Sequence, residues 1–231
     1  MRGLFVTGTD TGVGKTILSG ALLAAMTVEG ERVRAYKPVL TGLDEPAEIG
    51  AHGRWPRDHE LLAAATGTDP ELIAPIRYGP AASPHLAASL AGERIDPARL
   101  LAGALTAAEQ GHTLIVEGVG GLLVPLADAY TVRDLAAALG LGVLIAARPD
   151  LGTINHTLLS IEAARAAGLD VRAVVLTPWP PEPSELQRSN RETIARMGAV
   201  EVQTLAPVPG PDPPDLARVG ADLPWRRWLS A

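Results

Sequence analysis

The nine residues GTDTGVGKT, from Gly8 to Thr16, leave few choices for the fold around them. Leu4, Phe5 and Val6 read as a short buried strand, and from Ile17 onward Leu18, Ala21, Leu22 and Ala25 recur at helical spacing. The glycines, the lysine and the hydroxyls therefore occupy a strand-to-helix turn. There the unpaired N–H groups and positive dipole end of the helix can hold an anion. Gly12 and Gly14 let the backbone wrap closely around it, Lys15 reaches terminal phosphates, and the Thr16 hydroxyl joins the shell of a magnesium ion. Val13 and Ile17 complete the cradle, and the segment reads as a nucleotide phosphate loop. Five residues separate Gly8 from Gly14, so the loop is one residue longer than the usual pattern.

The rest of the chain repeats the same alternation. Strand candidates are Leu4 to Val6, Val33 to Tyr36, Thr113 to Val116, Gly142 to Ala146, Ala173 to Leu176 and Val200 to Leu205. Between them the periodicity predicts helices at Thr16 to Thr27, His59 to Thr66, Asp96 to Gln110, Val132 to Ala138, Ile154 to Ala167 and Ser184 to Met197. The expected fold is α/β: a doubly wound, mostly parallel sheet with helices on both faces, of phosphate-loop NTPase type, built as one domain over residues 1–231. Ligands of such sheets bind beyond the carboxyl ends of the strands. Lys37, then Glu117 with Gly118, Val119 and Gly120, and then the segment from Asp150 to Asn155 all emerge at that edge. Two proline-rich pieces, PWPPEP (178–183) and PVPGPDPP (207–214), emerge there too and are expected to be neither helix nor central strand.

Composition removes several classes of chemistry. The absence of cysteine excludes disulfides, thiolate metal sites and a cysteine nucleophile. A formal net charge of −6 with scattered Lys and Arg argues against a nucleic acid or an anionic membrane as partner. No basic segment followed by an apolar stretch and cleavage site opens the sequence, so a cytoplasmic location is expected. The five histidines, at 52, 59, 85, 112 and 156, share no metal-ligand spacing and read as surface or packing residues.

Glu117 follows an uncharged strand, where a phosphate-loop fold places a magnesium-side acid. Asp58 can serve in the same way or simply open a helix. Lys37 is either a solvated strand-end lysine or a second charge that stabilises phosphoryl transfer. Thr41 is a candidate substrate donor or an ordinary turn residue. Gly152 and Thr153 suit a helix start that leaves N–H groups free for a carboxylate.

Taken in order, GTDTGVGKT, YKPVLTG, SPHLAA, VEGVGGLLVPL and DLGTINHT resemble the dethiobiotin synthetase family over residues 8–157. The resemblance implies an ATP- and magnesium-dependent ligase, usually a homodimer, that acts on 7,8-diaminopelargonic acid and carbon dioxide. Lys15 and Lys37 would be its catalytic cations, and Thr16, Asp58 and Glu117 its magnesium ligands. Substrate would meet Thr11, Lys37, Thr41 and, across a dimer interface, Leu151, Gly152, Thr153 and Asn155. The nucleotide would also meet Gly118, Val119, Gly120, Thr177, Pro178 and Pro207. Many members carry an asparagine that reads adenine where this chain has Thr177, Pro178 and Trp179. Thr offers one hydroxyl and Pro no donor, so other nucleoside triphosphates are expected to serve as well as ATP.

The rival reading is a partitioning or positioning ATPase of the same loop class, which acts on DNA or membrane. Those proteins carry a signature lysine where Asp10 stands here, and the terminal cluster Trp225, Arg226, Arg227 and Trp228 is too short for an anchor. A related amidotransferase-type synthetase needs a glutaminase cysteine that this chain lacks.

Overall fold

The chain enters its sheet in the middle. In the computed structural model, which describes residues 1–46, 49–50 and 53–230, β1 (Gly3–Gly8) runs through the glycine loop into α1 (Lys15–Val28). The chain then returns as β2 (Val33–Tyr36) at one edge. A short ribbon, β3 (Ile49–Gly50) and β4 (Gly53–Arg54), precedes α2 (Asp58–Thr66), α3 (Pro70–Ile73), α4 (Pro84–Leu90) and α5 (Pro97–Ala107). β5 (Thr113–Gly121) inserts between β1 and β2. The antiparallel pair β6 (Pro125–Ala127) and β7 (Tyr130–Thr131) leads into α6 (Val132–Leu139). On the other side of β1 come β8 (Gly142–Ala147), α7 (Thr153–Ala166), β9 (Val171–Leu176), α8 (Glu185–Gly198) and β10 (Glu201–Thr204). Helices α9 (Pro213–Gly220) and α10 (Trp225–Leu229) follow. The sheet order is β10-β9-β8-β1-β5-β2, with every neighbour parallel.

Strand alternation divides the apolar side chains between two layers. Leu4 and Val6 pack with Leu18 and Leu22 of α1, Leu61 of α2 and Leu216 of α9. Phe5 points the other way, to Leu100 of α5, Leu135 of α6 and Ile161 of α7. Both faces of the sheet are thus covered by helices, as its near-continuous apolar strands require. Helix α9 approaches α1 closely because Gly220 has no Cβ, which would otherwise stand 2.2 Å from the Ala21 carbonyl oxygen. Trp225 and Trp228 lie in this same layer, each 2% exposed, so the terminal aromatic cluster is core. No helix among the described residues is long and apolar enough to cross a membrane.

Two expectations need correction. The 207–214 piece does include helix, because Pro213 and Pro214 occupy the first turn of α9, where a missing N–H costs nothing. Glu117 does not follow its strand but lies within it, paired with Val6, because β1 continues to offer backbone partners past Val116. His52 lies outside the described residues.

Candidate active site

The carboxyl ends of β1, β2 and β5 meet around a cavity of about 730 Å³. Its walls include Thr11, Gly12, Gly14, Lys15, Thr16 and Ile17 of the glycine loop. Gly14 caps α1 in the left-handed region (φ 90°), and a Cβ there would stand 2.8 Å from the Thr177 methyl, so only glycine fits. Val13 faces inward and packs in the core. The Lys15 ammonium donates to the Asp10 carbonyl at 2.8 Å and closes the loop on itself. Burial pulls the Lys15 pKa below its ordinary value, although Glu117 opposes this.

The segment after β2 carries the second cation. Lys37 donates its N–H to the Ile73 carbonyl, Leu40 to Ile76 and Leu43 to Tyr78, a ladder that holds residues 37–43 straight beside 73–78. Thr41 on that segment lines the cavity. Lys37 is 3% exposed, and its ammonium lies 2.6 Å from Glu117 Oε1 and 2.7 Å from Asp58 Oδ2. Burial alone would lower the Lys37 pKa, but the two carboxylates outweigh it and hold the ammonium well above its ordinary value. Burial would likewise raise the Asp58 pKa, and the Lys37 charge and hydrogen bond hold it down instead. Asp58 is the first residue of α2, yet its side chain faces this lysine rather than capping the helix.

Glu117 is fully buried. Its Oε1 accepts from the Thr16 hydroxyl at 2.8 Å as well as from Lys37, while its Oε2 has no hydrogen-bond partner among the described residues. A buried carboxylate oxygen left without a donor fits a cation, and Thr16, Asp58 and Glu117 supply the hard oxygen ligands that magnesium prefers. No three His, Asp or Glu side chains converge among the described residues. That suits an ion which takes one or two carboxylates and fills its shell with phosphate oxygens and water.

The remaining expected residues fall into two groups. Val119 and Gly120 line the cavity, whereas Gly118 is packed between Val132 and Phe5 inside the sheet. Thr177 is buried against Gly14, with its N–H on the Ala147 carbonyl, and Pro178 and Pro207 are exposed. Leu151, Gly152, Thr153 and Asn155 lie outside this cavity, at the start of α7. Thr153 is buried, with its N–H on the Asp150 carbonyl and its hydroxyl 3.4 Å from that of Thr157.

Two arginines at the site are not among the residues expected from the sequence. Arg57 donates to the carbonyls of Gly42, Leu43 and Glu45 at 2.7–3.1 Å and so pins a cavity wall beside Asp58. Arg148 donates to the Gly12 carbonyl. The strand-end rule that selects Lys37 applies equally to Arg148, which directly follows β8.

A family model described as an AAA domain matches residues 2–213. The ATP-dependent dethiobiotin synthetase BioD of Anaeromyxobacter dehalogenans strain 2CP-1 is 43% identical over 225 residues, covering 96% of each chain. The protein of the same name from Mycobacterium sp. strain KMS is 37% identical over 233 residues, covering 100% of this chain and 99% of its own. Among solved structures, chloroplast FtsY of Physcomitrella patens aligns with a TM-score of 0.50 at 17% identity. That match covers 95% of this chain and 65% of the other, and is a likeness of fold alone.

Proposed function

The chain belongs to the ATP-dependent dethiobiotin synthetase family, and on that premise we propose the reaction and the role of each residue in it. It is an ATP-dependent ligase that carboxylates 7,8-diaminopelargonic acid with carbon dioxide and closes the ureido ring of dethiobiotin, with release of ADP and phosphate. One substrate amine adds to carbon dioxide and loses a proton, giving a carbamate. A carbamate oxygen attacks the γ-phosphorus as the bond to ADP breaks, which yields a carbamic-phosphoric anhydride. The second amine then attacks the anhydride carbonyl, closes the ring and expels phosphate. No protein nucleophile is required, so catalysis rests on positioning and charge.

The observation that carries this reading is the cluster at the mouth of the glycine loop, in which buried Lys37 and Glu117 meet the half-buried Asp58 and Thr16. Clamped by two carboxylates, Lys37 stays protonated, so it serves as a cation for carbamate and phosphoryl oxygens and not as a base. Lys15 exchanges the Asp10 carbonyl for a phosphate oxygen. Thr16, Asp58 and Glu117 would hold magnesium, which when bound neutralises charge on the phosphates. Thr11 and Thr41 face the cavity where the diamine end would lie.

The distal carboxylate would be read by residues 151–155 of a second copy. Leu123 and Leu159 are exposed around a smaller cavity of about 420 Å³ beside α7, and Leu151 is exposed at the start of that helix, which supports a partner covering this face. We assign the enzyme to the cytoplasm, with no nucleic acid or membrane as partner. The test is ADP release by purified protein with ATP and magnesium. Release that needs both diaminopelargonate and bicarbonate, with dethiobiotin as product, supports the assignment. ATP turnover driven instead by DNA or lipid vesicles would favour the partitioning class. Sedimentation measures the dimer separately.

A further inference from the structure

A phosphate loop binds through N–H groups turned toward the anion, so its carbonyl oxygens must turn outward and find donors elsewhere. Three such carbonyls have partners here. Gly14 O accepts from the Leu18 N–H at 3.0 Å, within the start of α1. Asp10 O accepts from the Lys15 ammonium, a bond that ends when Lys15 turns to a phosphate. Gly12 O accepts from the Arg148 guanidinium, Nη2 at 2.9 Å and Nε at 3.2 Å. Gly12 is in the left-handed region at φ 70°, and a Cβ there would stand 3.4 Å from Arg148 Nη2, so the guanidinium lies directly on the loop.

Arg148 is itself held in place. It follows the last residue of β8, whose Ala146 carbonyl already accepts the Thr9 N–H at 3.0 Å. The next two carbonyls along the chain, Pro149 and Asp150, both accept from the Asn190 amide of α8, at 3.0 and 3.2 Å. Asn190 is 4% exposed and has no part in the chemistry above. The guanidinium grips the Gly12 carbonyl through two of its N–H groups.

We propose that Arg148 is a positioning residue: braced by Asn190, it fixes the Gly12 peptide so that the loop keeps its anion-binding shape once Lys15 has been drawn onto the phosphates. This rests on the nucleotide reading of the loop. The β-phosphate is common to ADP and ATP, so a loop that loses its shape loses both.

The experiment measures dissociation constants for ADP and a non-hydrolysable ATP analogue, with magnesium and without diamine, in the wild type and Arg148→Ala. Both constants are expected to rise together by about tenfold, the usual scale for a charged hydrogen bond. The nucleotide-free thermal midpoint should stay unchanged, because the side chain is exposed. Unchanged constants overturn the proposal. A loss confined to the ATP analogue also overturns it and makes the arginine a γ-phosphate contact. So does a fall in midpoint large enough to account for the lost binding. If the wild type binds neither nucleotide, it is the phosphate-loop reading that fails.

Discussion

At each end of the sheet a cation, a glutamate and a threonine hydroxyl meet, and the two clusters differ in what is left over. At the amino end Arg2 pairs with Glu31, and Thr113 donates to Glu31 at 2.6 Å while accepting from Arg2 at 2.7 Å. At the carboxyl end Lys37 pairs with Glu117, and Thr16 donates to the same glutamate. The Arg2 and Glu31 side chains are 52% and 24% exposed, whereas those of Lys37 and Glu117 are 4% and 1% exposed. In the cluster at the carboxyl end one carboxylate oxygen still lacks a partner among the described residues. Charge pairs that water can reach fasten strand ends. A pair sealed from water with an unmatched acceptor is a place built for something that arrives later.

The sharpest way to break this comparison is to remove the cations of the carboxyl end. Lys15→Ala and Lys37→Ala should each lower turnover by at least about a hundredfold, the scale of a lost charge at a transferring group. They should part company in stability. Lys15 holds only a carbonyl, so its loss leaves the folded state near wild type. Loss of Lys37 leaves Glu117 buried without its ion-pair partner, a destabilisation of about 3–5 kcal/mol. Urea unfolding beside steady-state kinetics separates the two, and near-normal dethiobiotin formation by either variant would sink the catalytic assignment.

A smaller effect is expected from Glu117→Gln, which keeps the shape but offers a hard cation a poor ligand. The magnesium midpoint should rise by at least about tenfold while the diaminopelargonate KM moves less. Asp58→Asn should follow it. A midpoint unchanged in Asp58→Asn would confine that residue to holding Lys37.

Much of this centre is legible in the amino-acid sequence. Periodicity locates all six core strands and the glycine loop between β1 and α1, because both faces of those strands are apolar. What stays hidden depends on chain paths without periodicity. Asp58 and Lys37 are distant in sequence and meet only in the fold, and a helix-opening acid looks the same in either role. Sequence pattern puts Glu117 one step outside its strand because the glycines after it read as a turn, whereas the sheet bonds through backbone regardless of side chain. Arg148, between Ala147 and Pro149, falls under the same strand-end rule as Lys37, but nothing in the sequence shows that its guanidinium turns back onto the Gly12 carbonyl.

The rim beyond the loop extends the comparison, for it has few side-chain groups to offer. Thr177 is buried with its backbone N–H spent, Pro178 and Pro207 carry no donor, and the Trp179 backbone N–H donates to the Leu205 carbonyl at 2.8 Å. Rejection of a wrong base comes from site groups left unpaired, so CTP, GTP and UTP should support the reaction within about tenfold of ATP, roughly 1.4 kcal/mol. Comparing kcat/KM for the four triphosphates at one magnesium concentration checks this. A preference for ATP above about a thousandfold would mean that backbone groups in the proline-rich loops read adenine.

The smallest effect belongs to the amino end. The Thr113 hydroxyl bond, helped by Arg2 and opposed by slight burial, holds the Glu31 pKa below its ordinary value. A carboxylate whose pKa falls on folding adds stability above its unfolded pKa and gives it up as pH drops through the folded value. Glu31→Gln should therefore cost about 0.5 kcal/mol near neutral pH, the ordinary worth of an exposed pair, and that difference should vanish in acid as the wild-type side chain protonates. Turnover should not change, because Glu31 precedes β2 at the end of the sheet opposite the cavity. Urea unfolding across the acid limb, run with the dethiobiotin assay, reads both quantities. A tenfold loss of turnover in Glu31→Gln would show that the two ends of the sheet are coupled, and that a satisfied, partly exposed cluster is not thereby a purely structural one.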